Sequence, residues 1–402
     1  MALMPVAEAL QRVLTDARAL PPETVPLGDA LGRVLTKDVI ALRTQPPTAV
    51  SAMDGYAVQG TDVAKAPVVL KVIGEVAAGH PFDGHVNAGQ AARIFTGGVM
   101  PAGSDTVVIQ EHAIRADDSV TIEAPTARHR NVRAQGIDFT QKQILLRKGQ
   151  RLTSRDLMLA AAMNHSCLSV HRRPKVAVLG TGDELVPPGS TPGSGEIVYS
   201  NGFALTAMAY SGGAQVRDLG ISPDRIEDIV AAVKSAREWG ADILVTSGGA
   251  SVGEHDLVQR ALTAEGLDLS FWRVALRPGR PMMHGRLGNM QVLGVPGNPV
   301  SSFVCAFLFL LPLIKRLSGR SDVEQPLEAA RLGCDLPAND ERQDYLRATL
   351  ATGANGRTAT PLPNQDSSLM APLAEADCLL IRAPYAPAAP AGSDCVILKL
   401  GL

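Results

Sequence analysis

Between Pro174 and Leu317 the chain alternates short apolar runs with helical stretches, and most of the runs end in glycine. The runs are VAVLG (176–180), AQVRDLGI (214–221), DILVTSGG (242–249) and QVLGVPG (291–297). The helical stretches are 204–211, 226–238, 257–265 and 300–317, the second amphipathic through Ile226, Ile229, Val230 and Val233. Strands that read apolar throughout are buried on both faces, and a helix after each strand implies a parallel sheet with helices on both sides. The fold class is therefore α/β, built on a doubly wound, mostly parallel sheet. Ligands of such sheets bind beyond the carboxyl ends of the strands, which is where the glycine-rich motifs fall.

The 402 residues allow two to four domains at roughly 100–200 residues each. Near the start, Val6, Leu10, Val13 and Leu14 share one helical face, and Pro21-Pro22 stops the helix. A second helix is expected over 30–35. From 67 to 123 strand-like runs such as VVLKVI (68–73), RIF (93–95) and TVVIQ (106–110) are separated by Gly and Pro, which reads as a small β-rich domain. A helix over 153–163, capped by Thr153 or Ser154, is expected to pack back onto the N-terminal helices and make the β-rich domain an insertion. After 319–321, YLRATL (345–350), CLLIRA (378–383) and CVILKL (395–400) predict a small C-terminal β domain. The expected division is a discontinuous N-terminal helical domain (1–44 and 139–172), an inserted β-rich domain (45–138), an α/β domain (173–320) and a C-terminal β domain (321–402).

A net charge of −2 and 4% aromatic residues provide neither the field nor the stacking surface of a nucleic-acid or anionic-membrane binder. Any bound anion must be held by local groups. Five cysteines without a C-x-x-C pair argue against a zinc ribbon or a disulfide framework, and free thiols fit a reducing compartment. The N-terminus lacks a basic segment followed by an apolar one, so no signal peptide is expected. The apolar run 300–314 is shorter than the ~20 residues that span a bilayer and contains Ser301, Ser302 and Pro312; it reads as a buried helix. The expected location is cytoplasmic. The eight histidines do not cluster at metal-ligand spacing.

Six segments carry candidate chemistry. GTGDEL (180–185) lacks the spacing of a P-loop but places Asp183 and Glu184 after a buried strand, suited to a hard cation or to proton transfer; a turn or helix cap is the plain alternative. TSGGASVGEHD (246–256) offers Gly248, Gly249, Ser251 and Gly253 for backbone approach to an anion, with Glu254 and Asp256 as candidate Mg²⁺ ligands. RVALRPGRP (273–281) brings Arg273, Arg277 and Arg280 together as possible oxyanion forks, or as a solvated cationic loop. In GVPGNPVSS (294–302), Asn298 and Pro299 shape a turn and Ser301 opens a helix. SAMDGYA (51–57) sets Asp54 in a loop, and FTGGVMPAGSDTVVIQE (95–111) sets Thr96 beside two glycines. Singly each also reads as turn or capping chemistry. Together they describe an anion-rich site with carboxylates for a cation and arginines for oxyanions, pointing to phosphate-ester or phosphoanhydride chemistry.

SAMDGYA, FTGGVMPAGSDTVV, RAQGID (133–138), TGDEL, SN (200–201), DILVTSGGASVGEHD, LRPGRPMMHG and GVPGNPVS, in that order, closely resemble the molybdopterin molybdenumtransferases, the MoeA-like proteins similar to the E domain of gephyrin. The resemblance covers essentially the whole chain. It implies four domains and a homodimer with a shared active site. It also implies a reaction in which molybdate is inserted at the dithiolene of adenylylated molybdopterin with release of AMP, assisted by Mg²⁺. By the same resemblance Asp54, Thr96 and Asp138 are partner-side catalytic positions, and Glu184 and Asp256 are the acidic, Mg²⁺-binding positions of the α/β domain. Arg277, Arg280 and Ser301 hold molybdate, Pro296 and Pro299 frame that loop, and Arg342 with Ser367 or Ser368 completes the oxyanion site. Pathway partners would be a molybdopterin adenylyltransferase and the molybdoenzymes or their chaperones. The alternatives are a non-catalytic molybdopterin or molybdate carrier, and a scaffold like the gephyrin E domain. Arg273, Arg277 and Arg280 stand where the family usually has lysines, replacing a point charge by a planar fork, and Ala250 replaces a frequent valine.

Overall fold

A computed structural model describes residues 3–248, 257–354 and 356–401. The chain forms two compact units, one of residues up to 23, 32–36 and 170 onward, the other of 24–31 and 37–169.

The second unit holds a six-stranded sheet. Its strands are β1 (Gly55–Val58), β2 (Val68–Val76), β3 (Gln90–Ile94), β4 (Thr106–Ile109), β5 (Ala113–Ala116) and β6 (Ser119–Ile122), in the order β4-β1-β3-β2-β6-β5. Alternation along β1 sends Tyr56 and Val58 into one apolar cluster and Ala57 into another. The unit's helix (Ser154–Ala162) begins with a capping box, the Thr153 N–H and hydroxyl both donating to Asp156 Oδ2 at 2.7 and 2.6 Å. This helix rests on a 3₁₀ turn at Leu27–Asp29, and Ile144–Leu146 pairs antiparallel with Val39–Ile40.

The first unit opens with α1 (Val6–Thr15), the helix that the spacing of Val6, Leu10, Val13 and Leu14 predicts. Its apolar face joins the α/β core, where Val6, Ala9 and Val13 share a cluster with Phe307, Leu311 and Ile314. No helix forms over 30–35. Gly32 takes a left-handed φ of 74°, which a helix cannot continue through, and Leu35 bridges to Val170 instead.

The α/β sheet comprises β7 (Lys175–Thr181), β8 (Gln215–Ser222), β9 (Ile243–Ser247), β10 (Asp268–Phe271), β12 (Met283–Leu287) and β13 (Met290–Val295), in the order β8-β7-β9-β13-β12-β10. β11 (Leu276–Arg277) leaves this sheet and pairs with a strand of the C-terminal barrel. The first four strands in the order are parallel, as expected, but β12 runs antiparallel to both of its neighbours, β13 and β10, so the sheet is mixed. α2 (Asn201–Ser211) and α5 (Pro299–Leu317) cover one face with α1, and α3 (Ile226–Glu238) and α4 (Leu257–Ala264) cover the other. Val176 and Val178 point into the first layer and Ala177 and Leu179 into the second, which is why β7 reads apolar without a break. α5 is long and apolar enough to cross a membrane, yet 89% of it is buried as the core helix of this unit. It widens into a π turn at Ala306–Leu310 just ahead of Pro312, which has no N–H to continue the ladder.

The C-terminal strands are β14 (Leu327–Leu332), β15 (Gln343–Gly353), β16 (Gly356–Pro361), β17 (Cys378–Arg382) and β18 (Asp394–Lys399). The pairings run β15-β16-β14-β18-β17 and return from β17 to β15, closing a small barrel with no free edge. The closure and the strands β14 and β16 go beyond the expected β domain.

Candidate active site

The carboxyl ends of β7, β9 and β13 surround a cleft of about 690 Å³. Gly248 ends β9 with φ 98°, and a side chain there would meet the Thr181 carbonyl oxygen at 2.4 Å, so only glycine lets the two strand ends lie this close. Asn201, at the start of α2, donates from Nδ2 to Ser247 Oγ and to the Gly297 carbonyl, each at 2.8 Å. One amide thus ties the ends of two strands and the start of a helix. The ring of Tyr199 packs against Gly180 and Gly202, and its hydroxyl lies 3.4 Å from Asp218; burial raises its pKa far above the ordinary phenol range.

α5 opens into the same cleft. Asn298 precedes it, Pro299 takes the first helical turn, and Ser301 is 5% exposed on the cleft wall. The first N–H groups of a helix lack intrahelical partners and carry positive potential, a natural seat for an anion. The barrel's 364–369 loop is bonded to this helix start: the Val300 N–H donates to Ser367 O (3.1 Å) and Asn298 Nδ2 to Ser367 Oγ (2.9 Å). Arg347, 1% exposed, holds that loop by donating to the carbonyls of Leu369 (2.8 Å), Asn364 (3.1 Å) and Asp366 (3.0 Å).

The acidic wall is made by Glu184 and Asp224. Asp183 Oδ1 accepts the Asp224 N–H at 3.0 Å. Asp224 is pushed above the ordinary carboxylate range by partial desolvation, with repulsion from Asp183 and Glu184 adding to it. No group of three or more acids, histidines or cysteines arranged to hold a metal ion occurs among the described residues. Mg²⁺, however, is commonly held by one or two carboxylates plus substrate phosphates. Hard oxygen donors that repel one another beside an anion cleft fit that chemistry, so Glu184 and Asp224 are the residues that would hold such an ion.

The expected arginines part company. Arg277 turns to the barrel, donating to Asp340 Oδ2 and Asn339 Oδ1 (both 2.9 Å) and to buried Asp344. Arg342 joins the same cluster through Asp340 Oδ2 at 2.8 Å. Arg273 and Arg280 are exposed. Of the expected residues, Glu184, Gly248, Pro296, Pro299, Ser301 and Ser368 line the cleft, and Ser367 braces it from behind. Gly249, Ser251, Gly253 and Asp256 lie outside the described residues.

In the other unit Asp54 Oδ1 accepts both the N–H and the hydroxyl of Thr96, each at 2.7 Å. These two bonds hold the Asp54 pKa below the ordinary carboxylate range. Arg93 lies over the rings of Tyr56 and Phe95 and donates to Gly55 O (3.3 Å) and Gln110 Oε1 (2.8 Å). Asp138 is exposed, its N–H given to Gln45 O, and no described hydrogen bond joins it to Asp54 or Thr96.

Sequence reasoning quoted SN (200–201) without a role for Asn201, and passed over Asp224, Asp340, Asp344 and Arg347. Asp224 follows the carboxyl end of β8, a position that could have marked it. Nothing local marks Arg347, which looks like any strand arginine.

A doubly wound sheet with an anion cleft at its carboxyl edge, followed by a closed barrel, defines a multidomain protein of the molybdopterin-binding class. Residues 177–316 match the model described as a probable molybdopterin binding domain. The chain belongs to the MoeA family, the molybdopterin molybdenumtransferases of molybdenum-cofactor biosynthesis: residues 4–164 match the MoeA N-terminal region (domains I and II) and 329–400 the MoeA C-terminal region (domain IV). It is 32% identical over 362 residues to the molybdopterin molybdenumtransferase of Haemophilus influenzae, covering 89% of each chain. It is 35% identical over 336 residues to that of a Nostoc species, covering 82% of this chain and 77% of the other. The crystal structure of a molybdopterin biosynthesis MoeA protein from Pyrococcus horikoshii superposes with a TM-score of 0.84 at 29% identity, covering 100% of both chains.

Proposed function

We propose that this molybdenumtransferase takes adenylylated molybdopterin and molybdate, inserts molybdenum at the dithiolene and releases AMP, with Mg²⁺ on Glu184 and Asp224. The observation that carries this reading is the cleft itself. Its lining combines the acids Glu184 and Asp224 with a helix N-terminus carrying Ser301, and Asn201 ties the strand ends beside Gly248. A nucleotide's phosphoanhydride needs such a pairing of a cation site with backbone donors. Mg²⁺, when bound, neutralises the phosphate charge that develops as AMP leaves. The chain's own part is to orient the anhydride between the acids and the start of α5.

Arg277 and Arg342 do not line the cleft, but they are the oxyanion residues of this reading, since two guanidinium groups already converge on one two-oxygen anion, the Asp340 carboxylate. Arg273 and Arg280 would serve as a mobile cationic rim. We further infer a cytoplasmic homodimer in which Asp54, Thr96 and Asp138 of one copy complete the cleft of the other. It would receive its nucleotide from a molybdopterin adenylyltransferase and deliver its product to molybdoenzymes or their chaperones. The test is to incubate the protein with adenylylated molybdopterin, Mg²⁺ and molybdate and to measure AMP. Release that requires molybdate supports the reading; tight binding of the nucleotide without AMP release would refute it in favour of a carrier.

A further inference from the structure

We propose that Asp340 is a built-in competitor of the oxyanion: its carboxylate occupies the seat between Arg277 and Arg342, and molybdate binds by displacing it. The inference rests on the reading of those two arginines as the oxyanion seat.

For Arg277 the geometry separates the groups that hold the guanidinium from the group that covers it, whereas Arg342 Nε and its terminal nitrogen both donate to Asp340. Arg277 is held from the buried side, where one terminal nitrogen donates to both Asp344, 4% exposed, and Asn339. Asn339 is itself fixed, its amide donating to the carbonyls of Arg342 (2.8 Å), Arg382 (3.2 Å) and Ala383 (2.9 Å). Among the described residues, the other terminal nitrogen of Arg277 donates only to Asp340 Oδ2. That same oxygen accepts from a terminal nitrogen of Arg342. Asp340 is therefore not needed to orient Arg277; it neutralises the outward ends of two guanidinium forks.

Its side chain is 36% exposed, so it can turn into water, giving up its part-buried bonds from Arg277 and Arg342 for hydration. A carboxylate presents two oxygens and one negative charge, whereas molybdate presents four oxygens and two charges. A tetrahedral dianion can satisfy both forks and displace the side chain, and a monoanion competes on poorer terms. Asp340 thereby screens the seat against monoanions and makes its filling conditional on a dianion.

The test is calorimetric titration of the full-length protein with sodium molybdate, and with sodium nitrate as the monoanion. Asp340→Asn keeps an oxygen for the Arg342 N–H, which Asp340 Oδ1 accepts at 2.9 Å, and removes the charge. Exposed ion pairs are each worth a few-fold in an equilibrium constant, so with two of them released the variant is expected to bind molybdate about tenfold more tightly and to gain measurable nitrate binding. Arg277→Met and Arg342→Met are expected to weaken molybdate. If both arginine variants weaken it but Asp340→Asn leaves it unchanged or weaker, the seat stands and the competitor role is overturned. If neither arginine variant changes binding, the seat reading fails and this inference fails with it. A crystal of the wild-type protein soaked in molybdate provides a readout independent of any variant. Asp340 turned away from both guanidinium groups supports displacement, and Asp340 still bridging them beside bound molybdate overturns it.

Discussion

The Asn201 side-chain amide donates to the Ser247 hydroxyl at 2.8 Å, and the same nitrogen reaches the Gly297 carbonyl. Two parallel strands and a helix start are thereby locked at the edge where the substrate would lie. Asn201→Asp replaces the donor by an acceptor facing a carbonyl oxygen. The expected result is a loss of roughly 1–3 kcal/mol of stability and a larger relative loss of affinity for adenylylated molybdopterin. Urea denaturation and nucleotide titration measure the two, and unchanged nucleotide affinity would remove Asn201 from the site.

Arg347 is buried without a directly bonded carboxylate partner, and its donors go to three carbonyls of the 364–369 loop. Burial lowers its pKa, and the charge of the nearby Asp366 carboxylate opposes that shift. Arg347→Met keeps the bulk and orphans the carbonyls. A cost of about 2–4 kcal/mol is expected, with faster amide exchange at Ser367 and Ser368 than elsewhere in the barrel.

Asp224 carries a raised pKa, so its charge weakens the fold. Its folded-state pKa lies above the unfolded one, and stability therefore falls as pH rises through that window and stays lower above it. Asp224→Asn should raise the midpoint of thermal unfolding at neutral pH while weakening Mg²⁺ binding. A lower midpoint, or unaltered Mg²⁺ titration, would count against the acidic wall as a cation site.

Asp54 has the opposite sign. Its folded pKa is depressed, so the contribution of its hydrogen bonds is present above the unfolded pKa and is lost only as pH falls through the folded one. Thr96→Val removes one of the two donors and should move the Asp54 titration upward, visible in carboxyl ¹³C NMR, with the backbone bond still holding it below an unbonded aspartate.

Gly248→Ala puts a methyl group 2.4 Å from the Thr181 carbonyl oxygen at a left-handed φ. Strain of this kind costs on the order of 1–3 kcal/mol. The variant should lose nucleotide binding at temperatures where circular dichroism still reports a folded protein.

What could be read in the chain and what could not divides along physical lines. The α/β core was legible because burial on both faces leaves a local imprint: β7 had to be apolar at 176, 177, 178 and 179 to feed two opposite layers. The glycine-rich strand ends were legible because close backbone approach admits little else, as at Gly248. The antiparallel course of β12 was not, since strand direction is decided by which neighbours a strand pairs with. Closure of the barrel through β15 and β17 depends likewise on pairing across more than thirty intervening residues.

The sequence by itself determined the strand-and-helix alternation, the helix start at Thr153 or Ser154, the anion-friendly turns and the family. Each is written in residues close together in the chain. Only the tertiary structure decided that α1 belongs to the α/β core, that Arg277 faces Asp340 and Asp344 instead of the cleft, and that Arg347 braces a loop nearly twenty residues away. Those are choices among partners. A guanidinium group accepts any well-placed oxygen, and it is the fold that places the oxygens.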